Sequence, residues 1–234
     1  MSAAELLRVL PWPDWAALLG YFAAWIVYAR FARSRSLRDG SLLATTNHYR
    51  QLWMRQATLR DNRVIDGVVV QNLSVSPSFF ASTTILIVGG LLALLGTSDK
   101  ASELVREIPF AARTSILVFD LKLLVLTGVF VYAFFRFTWA LRQYTFGALL
   151  IASMPDPQAF ARGEVDRDDY SRRAGRVVGL AAETFNDGLR AYYMAFAAVL
   201  WFFSPLAFAV GTAGVIFILY RREFHSDVLD VLRG

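Results

Sequence analysis

Charged side chains inside apolar runs are the residues of this sequence with most chemistry to offer. Asp120, Lys122 and Arg136 fall within one such run, residues 116–141, and a charge in hydrocarbon is costly enough to be a functional candidate by default. Two residues apart on a helix, Asp120 and Lys122 point about 200° apart and pair poorly. Near the end of the run they are expected to snorkel. A second set is Arg60, Asp61, Arg63, Asp66, Arg142 and Arg190. Arginine forks suit carboxylates and phosphates. If Arg60, Arg63, Arg142 and Arg190 converge at the mouth of a helix bundle, with Asp61, Asp66 and Asp187 as partners, they make an ion-pair lock or an anion and headgroup site. The lock is the expected use, because unpaired charges there are costly.

No catalytic, cofactor-binding or metal-binding set emerges, and the chain is expected not to be an enzyme. The absence of cysteine removes disulfides, thiol catalysis and thiolate-ligated metals. The two histidines, His48 and His225, lie far apart in sequence. The acidic group Glu164, Asp166, Asp168 and Asp169 lacks the glycine and terminal glutamate of a calcium loop. It reads instead as a helix start capped by Asp166. No phosphate-loop, dinucleotide or HExxH motif occurs, and no nucleic-acid-binding module is present.

Small and hydroxyl residues form a third group. Ser78, Ser82, Thr83 and Thr84 open one apolar run, and Ala16, Gly20 and Ala24 repeat at four-residue spacing in another. Both patterns let helices approach closely and bond across; packing is the expected role, with pore lining as the alternative.

The elements that position these residues are set by composition. Hydrophobic residues make up 56% of the 234 and mean hydropathy is +0.43, too apolar for an ordinary soluble domain. A membrane helix needs about 20 apolar residues. Four segments qualify, at about 15–32, 78–96, 116–141 and 191–220, giving an all-α polytopic membrane protein that forms a single domain. The third is expected to run on to Ser153, where Pro155 and Pro157 stop it. The fourth carries no charge over thirty residues, and Pro205 is expected to kink it. Connections 33–77 and 142–190 are expected to be helical and cytoplasmic. A stripe from Leu42 through Trp53 to Val68 suggests one amphipathic helix, separated from the second span by Pro77.

Net charge is +5, with 24 Lys+Arg of which all but Lys100 and Lys122 are arginine. Eight lie between the first two spans (counting Arg30) and seven between the last two. The positive-inside rule therefore puts both long connections in the cytoplasm and both termini in the periplasm of a bacterial-type inner membrane. Arg221 and Arg222, on the outer side in this scheme, oppose it. The arginines beside apolar segments point to anionic lipid headgroups as partners.

Four stretches, RDNRVIDG (60–67), SFFASTTILIVGGLLALLG (78–96), RFTWALRQYTFGALLI (136–151) and GLRAYYMAFAAVLWF (188–202), resemble domain of unknown function family 599. These are four-span membrane proteins of bacteria and plants, and the resemblance covers nearly the whole chain. It implies a helical polytopic protein without an established activity. It singles out Arg60, Asp61, Arg63, Asp66, Ser78 to Thr84, Arg142, Gln143, Arg190, Tyr192 and Tyr193, and assigns them no roles. Three functional classes follow. The first is a non-catalytic scaffold or accessory subunit that self-associates as a homo-oligomer or within a membrane complex. The second is an oligomeric channel or transporter. The third, least supported, is a lipid-processing enzyme with Asp61 or Asp66 as base.

Overall fold

The computed structural model describes residues 10–36, 40–98 and 115–233, and among these every regular element is helical. Helix α1 spans Trp12–Ser36, α2 Leu42–Ala57, α3 Val64–Leu95, α4 Ile116–Ala152 and α5 Pro157–Ala161. Helix α6 spans Arg167–Val199, a 3₁₀ turn Leu200–Phe202 follows, and α7 Pro205–Phe224 and α8 Asp227–Arg233 complete the chain. Four segments are long and apolar enough to cross a membrane: Trp12–Arg35, Val64–Leu95, Ile116–Ala152 and Pro205–Arg233. Their outer faces are apolar, with Leu86 75% and Leu206 73% exposed. Such a surface needs lipid as its solvent.

The expected fourth span, 191–220, is not one helix. Helix α6 ends at Val199, Ser204 turns to extended backbone (φ −165°, ψ 158°), and its hydroxyl accepts from the Ala207 N–H to start α7. Pro205 at the first helical position lacks the N–H that would continue the ladder, so it starts a new helix rather than kinking an old one. The two helices then run antiparallel. Trp201 stacks on Phe208, Arg222 donates to the Tyr193 hydroxyl at 2.9 Å, and Arg190 lies 3.9 Å from Glu223.

This hairpin places α6 inside the bundle as a fifth long helix. Its side chains face α4, α2 and α7, so its charges are satisfied by protein instead of lipid. Asp14 at the start of α1 meets Trp201, and Arg33 near its end meets Asp187. These contacts define an upper end, where Leu10, Phe119 and Trp201 share one core, and a lower end. There the Tyr49 hydroxyl donates to the Leu232 carbonyl and Leu229 is buried. Leu10 and Leu229 thus lie at opposite ends.

Two further expectations change. The stripe from Leu42 to Val68 is split, because α2 stops at Ala57 and α3 begins at Val64 around the polar turn 58–63. Pro77 lies inside α3 and does not end it; membrane helices tolerate proline because neighbours re-satisfy the freed backbone groups. The expected end of the long third helix holds, with Ser153 as the C-cap of the 37-residue α4. Asp166 caps α6 as expected, accepting from the Asp169 N–H at 2.9 Å.

Candidate functional site

The polar residues of the bundle separate into three groups along its length. The uppermost joins Asp14, Lys122 and Trp201. The Lys122 ammonium donates to the Trp201 carbonyl at 2.8 Å and lies 3.7 Å from Asp14 Oδ1, which also accepts from Trp201 Nε1 at 2.7 Å. Lys122 is only 2% exposed, so it does not snorkel. The carbonyls freed where α6 becomes a 3₁₀ turn attract a cation to the end of a helix dipole, and Asp14 balances it. Asp120 points elsewhere; its Oδ1 is buried and accepts no hydrogen bond among the described residues.

The middle group centres on Asp187 of α6. Arg136 of α4 donates to its Oδ2 at 2.6 Å, Arg33 of α1 to the same oxygen at 3.4 Å, and Arg190 to Oδ1 at 3.1 Å. Arg190 also faces Glu223 of α7, whose Oε1 accepts from the Leu43 N–H at the start of α2. One carboxylate thus ties α1, α4 and α6, and Arg190 extends the link to α7 and α2. Arg136, expected as an intramembrane charge, finds its counter-ion here. Its buried Nε has no acceptor among the described residues.

Below Arg33 lies a cavity of about 490 Å³ between α1, α2 and α6. Arg33, Arg176, Arg190, Asn47, Glu183 and Asp187 supply its polar wall. Glu183 accepts from Arg176 at 2.6 Å and from Asn47 at 3.0 Å. Helix α2 sits close because α6 offers glycines there: a Cβ on Gly175 would meet the Gln51 Cα at 3.0 Å, and one on Gly179 the Asn47 amide oxygen at 3.0 Å. Burial pulls the Arg50 guanidinium on α2 below its ordinary value, and Tyr144 and Glu183 oppose the shift.

The lowest group is Trp53, Arg60, Arg63 and Asp66. Asp66, 0% exposed, accepts from Trp53 Nε1 at 2.7 Å and from Arg60 at 2.6 Å. Arg63 donates to the carbonyls of Ala57, Met154 and Pro155 at 3.3, 2.8 and 2.6 Å, closing the free end of α4. This group locks the α2–α3 turn to the base of α4.

The expected single cluster of Arg60, Asp61, Arg63, Asp66, Arg142 and Arg190 therefore does not form. Tyr170 binds the Leu150 carbonyl at the level of Arg63, and twenty residues of α6 separate it from Arg190, about 30 Å of helix. Asp61 is exposed, and Arg142 stacks over Phe146 with no ion pair among the described residues. The error came from measuring levels along a single fourth span; the long α3 and α6 carry their ends much deeper. Asp187 was foreseen as a partner, whereas the parts of Asp14 and Glu223 were not. Only the hairpin between α6 and α7 brings those two carboxylates to their cations.

The hydroxyl run divides by helix face. Thr84 is buried and shares a 2.7 Å hydrogen bond with Tyr192, amid Phe80, Phe130 and Phe137. Thr83 is half-buried, and Ser78 and Ser82 are exposed. Gly20 and Ala24 line an open apolar groove of about 800 Å³ between α1 and α7, and a Cβ on Gly20 would meet nothing within 4 Å. Gly20 thus makes no close helix contact among the described residues.

Long apolar helices enclosing buried ion-pair locks define a polytopic helical membrane protein. The chain belongs to the family described as Protein of unknown function, DUF599, whose profile matches residues 16–228. Comparison with curated proteins and with solved structures found no match.

Proposed function

We propose that this integral membrane protein is a non-catalytic scaffold or accessory subunit of a bacterial-type inner membrane, and that it self-associates through the groove between α1 and α7. The groove carries the reading: its floor is Ala16, Gly20, Ala24, Ala209 and Ala213, and the described residues leave it open. Between lipid-solvated helices, small-residue faces are where another backbone packs closely, so the occupant is a second copy of the chain. The interior favours a structural role. Asp14 and Asp187 are held by cations; of the two candidate bases, Asp66 is 0% exposed and Asp61 stands exposed at the α2–α3 turn, outside the cavities described. The aromatic rings of Phe80, Phe137, Phe185 and Tyr192 pack together inside the bundle, which argues against a path through the middle of one copy.

Orientation follows from the hairpin. With α6 counted as a crossing, Arg221, Arg222 and Arg233 join the arginine-rich lower end. Among the described residues only the buried Lys122 remains toward the upper end, while Arg8, Lys100, Arg106 and Arg113 lie outside them. The opposition that Arg221 and Arg222 posed to the positive-inside rule disappears. We place the lower end, with residue 229, in the cytoplasm and the end near residue 10 in the periplasm. Mass measurement in nanodiscs by light scattering tests the assembly. Wild type is expected as a dimer or larger and Gly20→Leu as a monomer, because the added side chain fills the groove a second copy would occupy. A Cβ there meets nothing within 4 Å among the described residues, and thermal unfolding checks that the fold is kept. A monomeric wild type, or an unchanged mass for Gly20→Leu, would overturn the reading.

A further inference from the structure

We propose that the cavity between the end of α1, the start of α2 and the middle of α6 binds a phosphate-type oxyanion, with Arg33 and Arg190 as its principal ligands. The inference goes beyond the scaffold reading and does not depend on it, because every wall of the cavity belongs to one chain.

Charge is the first support. Arg33, Arg136 and Arg190 converge on Asp187, and among the described residues Glu223 is the only other carboxylate paired with them. Glu223 stands 3.9 Å from Arg190, and its Oε1 is already engaged by the Leu43 N–H. Arg176 and Glu183, also on the cavity wall, neutralise each other at 2.6 Å. One positive charge is left over, beside two guanidiniums that are only 28% and 10% exposed, and such a group favours an anion.

The donors are the second support. Arg33 makes the longest of the three contacts to Asp187 and its side chain is 74% exposed, so most of its five N–H groups meet no acceptor among the described residues. The start of α2 lines the same space through Leu43 and Ala44, whose N–H groups already donate to Glu223 Oε1 and Ser41 Oγ, so the helix contributes its dipole and no free amide from these two; its first turn holds no acidic residue. A sixteen-residue helix directs its positive end there. Asn47 and His48 add polar groups to the wall.

Place is the third. Arg136 closes the apolar stretch of α4, and Arg33 lies three residues before the end of α1. The cavity therefore sits where hydrocarbon gives way to headgroups on the arginine-rich side. Its volume of about 490 Å³ falls in the range of small-molecule sites. Guanidinium forks match phosphate oxygens two at a time. A glycerophospholipid headgroup and free inorganic phosphate share this chemistry.

Full-length protein in detergent provides the test, with native mass spectrometry counting retained phosphatidylglycerol or phosphatidylcholine and thermal unfolding scanned against inorganic phosphate. Arg33→Gln is expected to weaken binding about tenfold, the loss of one charged hydrogen-bonding partner. Arg172→Gln, at an exposed pair with Asp169, is expected to leave binding unchanged. Retention of phosphatidylglycerol above phosphatidylcholine that Arg33→Gln abolishes identifies a headgroup site. A phosphate-dependent rise in the wild-type midpoint that Arg33→Gln abolishes identifies a free-anion site. The proposal is overturned if neither probe binds, if Arg33→Gln binds like wild type, or if Arg172→Gln loses as much. Equal midpoints of the two variants without ligand ensure that folding is not what changed.

Discussion

Lys122 and Asp187 are the side chains on which the interior turns. Each is buried with charged partners from other helices, so its removal strands those partners in low dielectric. Lys122→Met alone leaves Asp14 without its cation and is expected to destabilise by ~3–5 kcal/mol. Adding Asp14→Leu should recover most of that loss, which unfolding midpoints of the two singles and the double will measure. A double variant as weak as Lys122→Met would mean that packing, not charge, governs the site. Asp187→Asn is expected to cost a similar ~3–5 kcal/mol, since two guanidiniums beside it are substantially buried. Asp61→Asn, at an exposed position, should change stability by no more than ~0.5 kcal/mol. Equal losses at Asp61 and Asp187 would contradict this division.

Among the elements, α6 depends most on small residues. Gly175 and Gly179 admit α2, and Gly188 admits the ring of Phe137, which a Cβ would approach to 2.5 Å at Cε1. Overpacking of this kind costs ~1–3 kcal/mol, so Gly188→Ala should lower the unfolding midpoint, and Phe137→Leu in the same chain should partly restore it. A neutral Gly188→Ala would show that the two helices separate without penalty. The break before α7 rests on the Ser204 hydroxyl and Pro205. Ser204→Ala is expected to cost ~1 kcal/mol, the usual loss for an N-cap; no loss in thermal unfolding would remove the cap from the account of the hairpin.

For the whole molecule the proposed orientation rests on counting α6 as a crossing. Five crossings would put the two ends of the bundle on opposite sides, whereas four would keep them together. The chain has no cysteine, so single introduced thiols report their side without background. Trp12 and Val231 are each 80% exposed. Trp12→Cys should react with a membrane-impermeant maleimide in spheroplasts, and Val231→Cys only after permeabilisation. Labelling of both from one side would reject the arrangement.

Apolar run length determined the membrane location, the helical class and three of the four spans, because the cost of exposing backbone to hydrocarbon acts locally and is legible in any window of about 20 residues. Caps and breakers were equally local: Asp166, Ser153 and the prolines after it mark helix ends that neighbouring residues impose. Hydropathy passed over α6 as a membrane element, because a helix enclosed by others answers to its neighbours and not to lipid. Its charges are tolerated through partners on α1, α4 and α7, contacts as distant as the 154 residues between Arg33 and Asp187. Which arginine meets which carboxylate depends on helix level and direction. Those were settled only when the chain turned back at Ser204, since a helix converts each residue of sequence into about 1.5 Å of height.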